Sequence, residues 1–398
     1  MSKVSAWMHG GVLPGGGVGR HVILSIPGGV TVPLGFSGIQ NASWPATHVA
    51  GPAAPKIPLS MSARERNHDI AGYCSQWRDI HTAAGVFNAT SVARLDTWIN
   101  QAVTDGREII FTIFGTPTWA ASTSINFTDQ YGTLYGANAP ADIGVSGSAN
   151  LAAFVTWLVT RYNTGSRKIQ YIEAWNEPLF STAASSYWTG TYVQMAQVMK
   201  TVYQAAKAVD SGIKVLSPGF AGMSGGLSPM VQNTMTAAVG DATTGLSWCD
   251  GVAFHAYDFG LARAGFYPIC DALKQFISDV VAYAPGKPIY NSEAGFLHDW
   301  TGVTQAERAR IIKQAALVQA ALGIKFVQWY GADYGYVVSG AVSAGYVASN
   351  IIGGPLTDQT IRDAFIWVAA LSGTTIYEVG MLGSSAMYAQ TAAGVLLC

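Results

Sequence analysis

The chain has 398 residues, 49% of them hydrophobic and only 11% charged, with 22 Lys and Arg against 23 Asp and Glu for a net charge of -1. That length buries one large core or two smaller ones, and the charged fraction lies well below the roughly 25% usual for soluble domains. A polyanion-binding protein carries a basic excess or stripe, and neither is present, which argues against nucleic acid as a partner; no apolar run reaches the roughly 18 to 20 residues that span a bilayer.

The first residues, "MSKVSAWMHGGVLPGGGVGR", have glycines where a secretory signal has a continuous apolar stretch. "PGGGVGR" lacks the Lys of a phosphate loop, and "HVILSIPGGVTVPLGF" after it is β-like and broken by Pro27. Residues 1–32 therefore read as a glycine-rich extension leading into a hairpin.

From about residue 33, short apolar runs alternate with stretches of helical period. The runs are "VPLGFSGI" (32–39), a weak one at "AGYCSQW" (71–77), "EIIFTIFG" (108–115), "IQYIEAWN" (169–176), "IKVLSPG" (213–219), "CDGVAFHAY" (249–257), "KPIYNSEAG" (287–295) and "IKFVQWYGA" (324–332). Helices are expected over 91–106, 150–165, 187–210, 271–284 and 304–323; the first carries Val92, Leu95, Trp98, Ile99 and Val103 on one stripe. The runs are continuously apolar, as parallel strands covered on both faces are. Eight strand–helix units over 33–372 predict an α/β fold, a (β/α)8 barrel, with an open doubly wound sheet as the structural rival. The loop at 120–148 is long enough to suggest a functional role. Residues 373–398 read as three short strands, either a β appendage or the first strands of a further domain.

The cysteines, Cys74, Cys249, Cys270 and Cys398, form no CxxC pair and no zinc spacing, so no metal is expected. Cys249 and Cys270 are the pair closest in sequence, and whether they bond is open.

In a (β/α)8 barrel the chemistry sits at the C-terminal ends of the strands. The fourth strand ends Asn176-Glu177-Pro178, the sixth His255-Ala256-Tyr257-Asp258, the seventh Ser292-Glu293-Ala294-Gly295; the eighth carries Trp329 and Asp333, and "GTPTWA" puts Trp119 at the same rim. Glutamates from strands four and seven face each other across the mouth. Two such carboxyls are the minimum equipment for glycoside hydrolysis, one protonating the leaving oxygen and one ionised beneath the anomeric carbon. Glu173 shares strand parity with Glu177, and a carboxylate pointing into the barrel needs buried partners.

The motifs "WNEP" (175–178), "HAY" (255–257), "SEAG" (292–295) and Trp329, in this order, resemble clan A of the retaining glycoside hydrolases. The resemblance implies Glu177 as acid/base and Glu293 as nucleophile. It implies that Asn176 donates to the sugar 2-hydroxyl, that Tyr257 orients the nucleophile, that His255 bonds the sugar or the acid/base, and that Trp329 floors the sugar site. The stretch 75–120 resembles the family of β-xylosidases and α-L-iduronidases, family 39. The cellulase and mannanase family, family 5, is the near rival; it usually carries an Arg on strand two and a His on strand three, neither of which is cleanly placed in this sequence, Arg78 lying close to strand two.

Trp119, Asp258 and Asp333 are further sugar-contact candidates; rim aromatics including Trp77, Phe180, Tyr187 and Trp188 are candidate ligand surface, with "YWTGTY" (187–192) and "DYGYV" (333–337) the favoured subsite walls. The expected partner is an oligo- or polysaccharide, handled without cofactor or metal, and that substrate class favours an extracellular or periplasmic setting although no signal is visible. A silent sugar-binding protein, a transglycosylase, and an inverting hydrolase pairing Glu177 with Asp258 or Asp333 are the alternatives.

Overall fold

The computed structural model describes residues 20–40, 59–67, 76–122, 127–128, 134–135, 138–178, 180, 187–221, 227–256, 267–295, 304–330, 359–383 and 386–398. β1 (Arg20–Thr31) belongs to an antiparallel sheet of its own. Then come β2 (Ser37–Ile39), β3 (Arg64–Arg66), β4 (Glu108–Thr112), β5 (Tyr171–Glu173), β6 (Lys214–Leu216), β7 (Phe220–Ala221), β8 (Val252–Ala256), β9 (Ile289–Ala294) and β10 (Val327–Trp329). They form two parallel sheets, β3-β4-β5-β6 and β7-β8-β9-β10-β2. Across one seam Ala63 N–H donates to the Ser37 carbonyl at 3.0 Å; across the other, parallel bridges join Leu216 to Gly251 and Asn176 to Gly219.

Parallel neighbours need long crossovers, and helices supply them. The described helices are α1 (Ala89–Thr104), α2 (Ala149–Asn163), α3 (Tyr192–Val209), α4 (Leu227–Thr236), α5 (Tyr267–Tyr283), α6 (Gln305–Ala321) and α7 (Gln359–Ala369). Each expected helix is present. α3 starts at residue 192 rather than 187 because Thr191 and Gln194 form a reciprocal capping box, satisfying two otherwise orphaned backbone groups. On α1, Asn88 caps the first turn, and Leu95, Trp98, Ile99 and Ala102 are buried while Val103 points outward, so the stripe is rotated slightly from expectation. α4 falls where no helix was expected. Among the described residues no helix is long and apolar enough to cross a membrane.

The second strand corrects the sequence reading. It is Arg64-Glu65-Arg66, not the run at 71–77, of which Trp77 starts a short helical turn, Trp77–Ile80, and residues 71–75 lie outside the described residues. All three charged side chains are buried, and each has a partner of opposite sign. Arg64 pairs with Glu108, Glu65 with Arg107 at 2.8 Å, and Arg66 with Glu173 and Glu293.

The terminal segments also differ from expectation. Residues 20–31 form one strand with a bulge at Pro27-Gly28-Gly29 instead of a hairpin, Gly28 and Gly29 taking φ of 82° and 71°. This strand pairs antiparallel with β11 (Thr375–Leu382), which continues through β12 (Ala386–Thr391) to β13 (Gly394–Leu397). The C-terminal strands expected as an appendage thus share a sheet with the N-terminal one. Cys249 is a buried free thiol, which burial pushes up to about 12.

Candidate functional site

The two parallel sheets face each other over a small apolar layer of Ile110, Leu216, Ala253, Tyr290 and Phe326, with Tyr171 against it. Side chains two apart on a strand share a face. Two residues beyond Ile110, Tyr171, Ala253 and Tyr290 stand Thr112, Glu173, His255 and Ser292, and two beyond Arg64 stands Arg66. A polar layer therefore lies directly on the apolar one. Its members are all almost completely buried, so each must find partners.

Arg66 donates to Glu173 Oε2 from Nη2 at 2.6 Å and Nε at 3.2 Å, to Asn176 Oδ1 from Nη2 at 2.8 Å, and to Glu293 Oε2 from Nη1. Because a guanidinium only donates, the Asn176 amide oxygen must face it, which turns the amide N–H2 donors the other way. Glu173 also accepts from Thr112 Oγ1 at 2.8 Å and from Ser292 Oγ. His255 places Nδ1 2.7 Å from Glu177 Oε1 and 3.8 Å from Glu293 Oε2; its Nε2 lies 3.6 Å from Glu173 Oε1 and 3.4 Å from Arg66 Nη2.

Both Ser292 and Glu293 reach this cluster although neighbours on a strand point to opposite faces. The reason is a bulge in β9. Phe254 pairs with Asn291 and the next residue, His255, with Glu293, leaving Ser292 as the extra residue. Glu177 gets its place differently. Its backbone has φ of 40°, a left-handed conformation rare for a residue with a side chain, and its N–H donates to the Gly219 carbonyl at 3.0 Å. Such conformations cost of order 1–3 kcal/mol and persist where the surroundings enforce them.

Burial by itself would lower the His255 imidazole, but the charge of Glu293 and the hydrogen bonds to Glu173 and Glu177 outweigh it and raise it to about 9. Burial would raise the Glu173 carboxyl, yet Arg66, His255 and Ser292 together hold it below the usual carboxylate range. Glu177, His255 and Glu293 each present a ligand atom within 4.8 Å of the others, close enough to hold a cation. The chemistry of the set argues against one. A cation there would compete with the Arg66 guanidinium on Glu293 and with the proton that three carboxylates favour on His255.

Of the residues singled out in the sequence, Asn176, Glu177, His255 and Glu293 come together here, the nearest Glu177 and Glu293 oxygens within 4.8 Å. The Glu177 side chain keeps 20% exposure and Glu293 7%. Trp119 stands apart, half-buried, its indole N–H donating to the His81 carbonyl at 2.9 Å. Trp329 departs from the expectation of a sugar floor. It is fully buried in the main core, edge-on to Phe365 of α7 with ring centres 5.9 Å apart. Trp77 and Trp188 are likewise core residues rather than ligand surface, while Phe180 stacks on Tyr192 at 3.9 Å. Tyr257, Asp258 and the stretch 333–337, Asp333 included, lie outside the described residues. Arg66 and Ser292 went unrecognised in the sequence; the signals available were Glu173, a carboxylate of inward parity that had to have a buried cation nearby, and the arginine that family 5 usually carries on strand two, which here is Arg64–Arg66.

Gly219 leaves no room for a side chain beside this cluster. A Cβ there would fall inside the contact radius of His255 Nε2 and 2.7 Å from Glu173 Oε1. Gly219→Ala is therefore expected to destabilise the fold by about 1–3 kcal/mol. By displacing His255 from Glu177 it should also cost roughly 10²-fold in any turnover at this site. Urea denaturation and steady-state rates check both, and wild-type values in each would show that the loop at 217–219 yields without cost.

No family model matches the chain, and no curated protein matches it. Solved structures do. A glucosidase from Croceicoccus marinus aligns at 16% identity and a TM-score of 0.58 over 92% of this chain and 74% of that one. A family 39 β-xylosidase from Caulobacter crescentus aligns at 14% identity and a TM-score of 0.61 over 93% and 78%. A broad-specificity family 5 endoglucanase from Ruminococcus flavefaciens aligns at 13% identity and a TM-score of 0.54 over 84% and 96%. The solved folds that this chain resembles are those of clan A glycoside hydrolases, family 39 prominent among them. At such identity the likeness is one of fold.

Proposed function

We propose that this chain is a retaining glycoside hydrolase built as a (β/α)8 barrel over residues 33–372. The barrel reading is supported by parallel strands in cyclic order, by the hydrogen bond from Ala63 to Ser37 across one seam and by the bridges at Leu216 and Asn176 across the other. The observation that carries the activity is the approach of Glu177 and Glu293 to within 4.8 Å at the ends of β5 and β9. Carboxyls about 5–5.5 Å apart suit double displacement, whereas inversion needs room for a water between them.

In the first step Glu177 protonates the leaving oxygen while Glu293 attacks the anomeric carbon, forming a glycosyl ester. In the second, Glu177 takes a proton from water, which attacks the same carbon and releases Glu293. Arg66, bonded to Glu293, steadies its charge before attack and after release. Asn176, its oxygen occupied by Arg66, offers N–H donors to the sugar 2-hydroxyl, a bond that strengthens as charge develops on the ring. The neighbours are named as acting on xylosides, glucosides and glucans, so a neutral pyranoside is the substrate class proposed.

The test is incubation with 2-deoxy-2-fluoro aryl xylosides and glucosides, followed by peptide mass spectrometry. A stoichiometric adduct on Glu293, with proton NMR showing a first-formed product of the substrate's own anomeric configuration, is the expected result. Cleavage with an inverted first product would overturn the mechanism; sugar binding without adduct or turnover would leave only the silent-binder alternative.

A further inference from the structure

We propose that Glu173 is a positioning residue that controls both proposed catalytic carboxylates, Glu293 through Arg66 and Glu177 through His255, without touching either. This rests on the reading of Glu177 and Glu293 given above. Glu173 has no exposed surface. One oxygen, Oε2, takes Arg66 Nη2 and Nε and the Thr112 hydroxyl; the other takes the Ser292 hydroxyl and faces His255 Nε2. Arg66 and His255 each lean on Glu173 with one side and on a catalytic carboxylate with the other.

The simpler reading is that Glu173 only neutralises a buried arginine. Charge counting argues against it, because Arg66 already has Glu293 as a counter-charge. With Arg66 and a protonated His255 facing Glu173 and Glu293, two charges of each sign are present and the cluster is neutral while Glu177 carries its proton. Remove the charge of Glu173, and that balance holds only if His255 loses its proton. Glu173 is thus the second anion that keeps the imidazolium beside Glu177.

The groups facing His255 are Arg66 from β3, Glu173 from β5, Glu177 beyond β5 and Glu293 from its own sheet neighbour β9. A carboxylate favours the protonated ring, so Glu173→Gln lowers the pH at which His255 deprotonates. The alkaline limb of the pH–rate profile, where His255 loses its proton, should therefore move toward acid by at least about one unit. In the same variant kcat should fall roughly 10²-fold with KM little changed, as expected when a group acts on the reacting residues and not on the sugar.

Three comparisons separate positioning from packing. Glu173→Asp keeps the charge and should keep the alkaline limb in place while lowering kcat. Thr112→Val and Ser292→Ala each remove a hydrogen bond to Glu173 but no charge, and should likewise leave the limb where it is. If Glu173 acts by packing alone, all four variants lose stability alike and none shifts the limb, which would overturn the proposal.

The second readout does not depend on turnover. In protein labelled with 15N-histidine, the His255 resonance, assigned by its absence from His255→Gln, should titrate at least about one unit lower in Glu173→Gln than in wild type. An unchanged titration overturns the proposal even in an active enzyme. A titration that shifts in Glu173→Gln while the wild type cleaves no glycoside means instead that the hydrolase reading has failed and the coupling of Glu173 to His255 stands.

Discussion

Glu293→Ala is expected to lower turnover of an aryl glycoside by about 10⁴- to 10⁶-fold, the scale on which loss of a covalent nucleophile is felt, with the fold retained. The geometry adds a sharper expectation. Truncation at 293 leaves a space beside the Arg66 guanidinium, which had donated to Glu293 Oε2, and a small anion such as azide or formate can occupy it. Azide there attacks the anomeric carbon from the face Glu293 used, and no second displacement follows, so the glycosyl azide has inverted configuration.

Glu177→Ala behaves oppositely on a substrate whose leaving group needs no acid. Glu293 still forms the ester, and azide then displaces it from the side where water would have entered, giving an azide of retained configuration. Proton NMR of the two products tests both assignments at once. The same anomer from both variants, or near-wild-type turnover from either without azide, would show that the two carboxyls do not divide the work in this way.

The parts of the fold visible in the sequence were those that bury apolar surface in a regular period. α1, α2 and α5 fall within a few residues of their amphipathic stretches, α6 matches the expected helix at 304–323 although it is buried on most sides and not along one stripe, and β4, β8 and β9 lie within the apolar runs at 108–115, 249–257 and 287–295. β3 was invisible for a physical reason. Its three side chains are all charged, and what permits their burial is pairing with Glu108, Arg107, Glu173 and Glu293, residues 42 to 227 positions away. Hydrophobic period cannot report a strand stabilised by ion pairs across its neighbours. The N-terminal and C-terminal strands show a related limit, since nothing local in "HVILSIPGGVT" says that it pairs with Thr375–Leu382.

The site divides along the same line. Asn176, Glu177, His255 and Glu293 were legible because residue type and place at a strand end carry chemical meaning. What holds them was not. The extra residue Ser292 appears only in the register of β9 against β8, and the left-handed backbone at Glu177 follows from its bond to Gly219, a contact between separate strand ends. Trp329 was misread because an aromatic residue at a strand end looks the same in sequence whether it turns to a ligand or, as here, to Phe365 of the covering helix.

Arg66 is where stability and chemistry meet. Arg66→Met keeps much of the side-chain volume but leaves Glu173 and Glu293 facing each other in the interior with no guanidinium between them. Removing one partner of a buried ion pair costs about 3–5 kcal/mol, a large share of the 5–15 kcal/mol by which a typical domain is stable. Arg66→Lys restores the charge but not the planar fork that reaches Glu173, Asn176 and Glu293 together. It should recover most of the stability while turnover stays down roughly 10²-fold or more. The double variant Arg66→Met with Glu173→Gln removes a stranded carboxylate along with its lost partner, so it should be less destabilised than the sum of the single changes, by 0.5–3 kcal/mol for contacting residues. Urea denaturation of the four proteins measures this directly. Strict additivity, or a fully stable Arg66→Met, would mean that Arg66 does not hold the polar layer together and that the proposed nucleophile is set by the bulge in β9 alone.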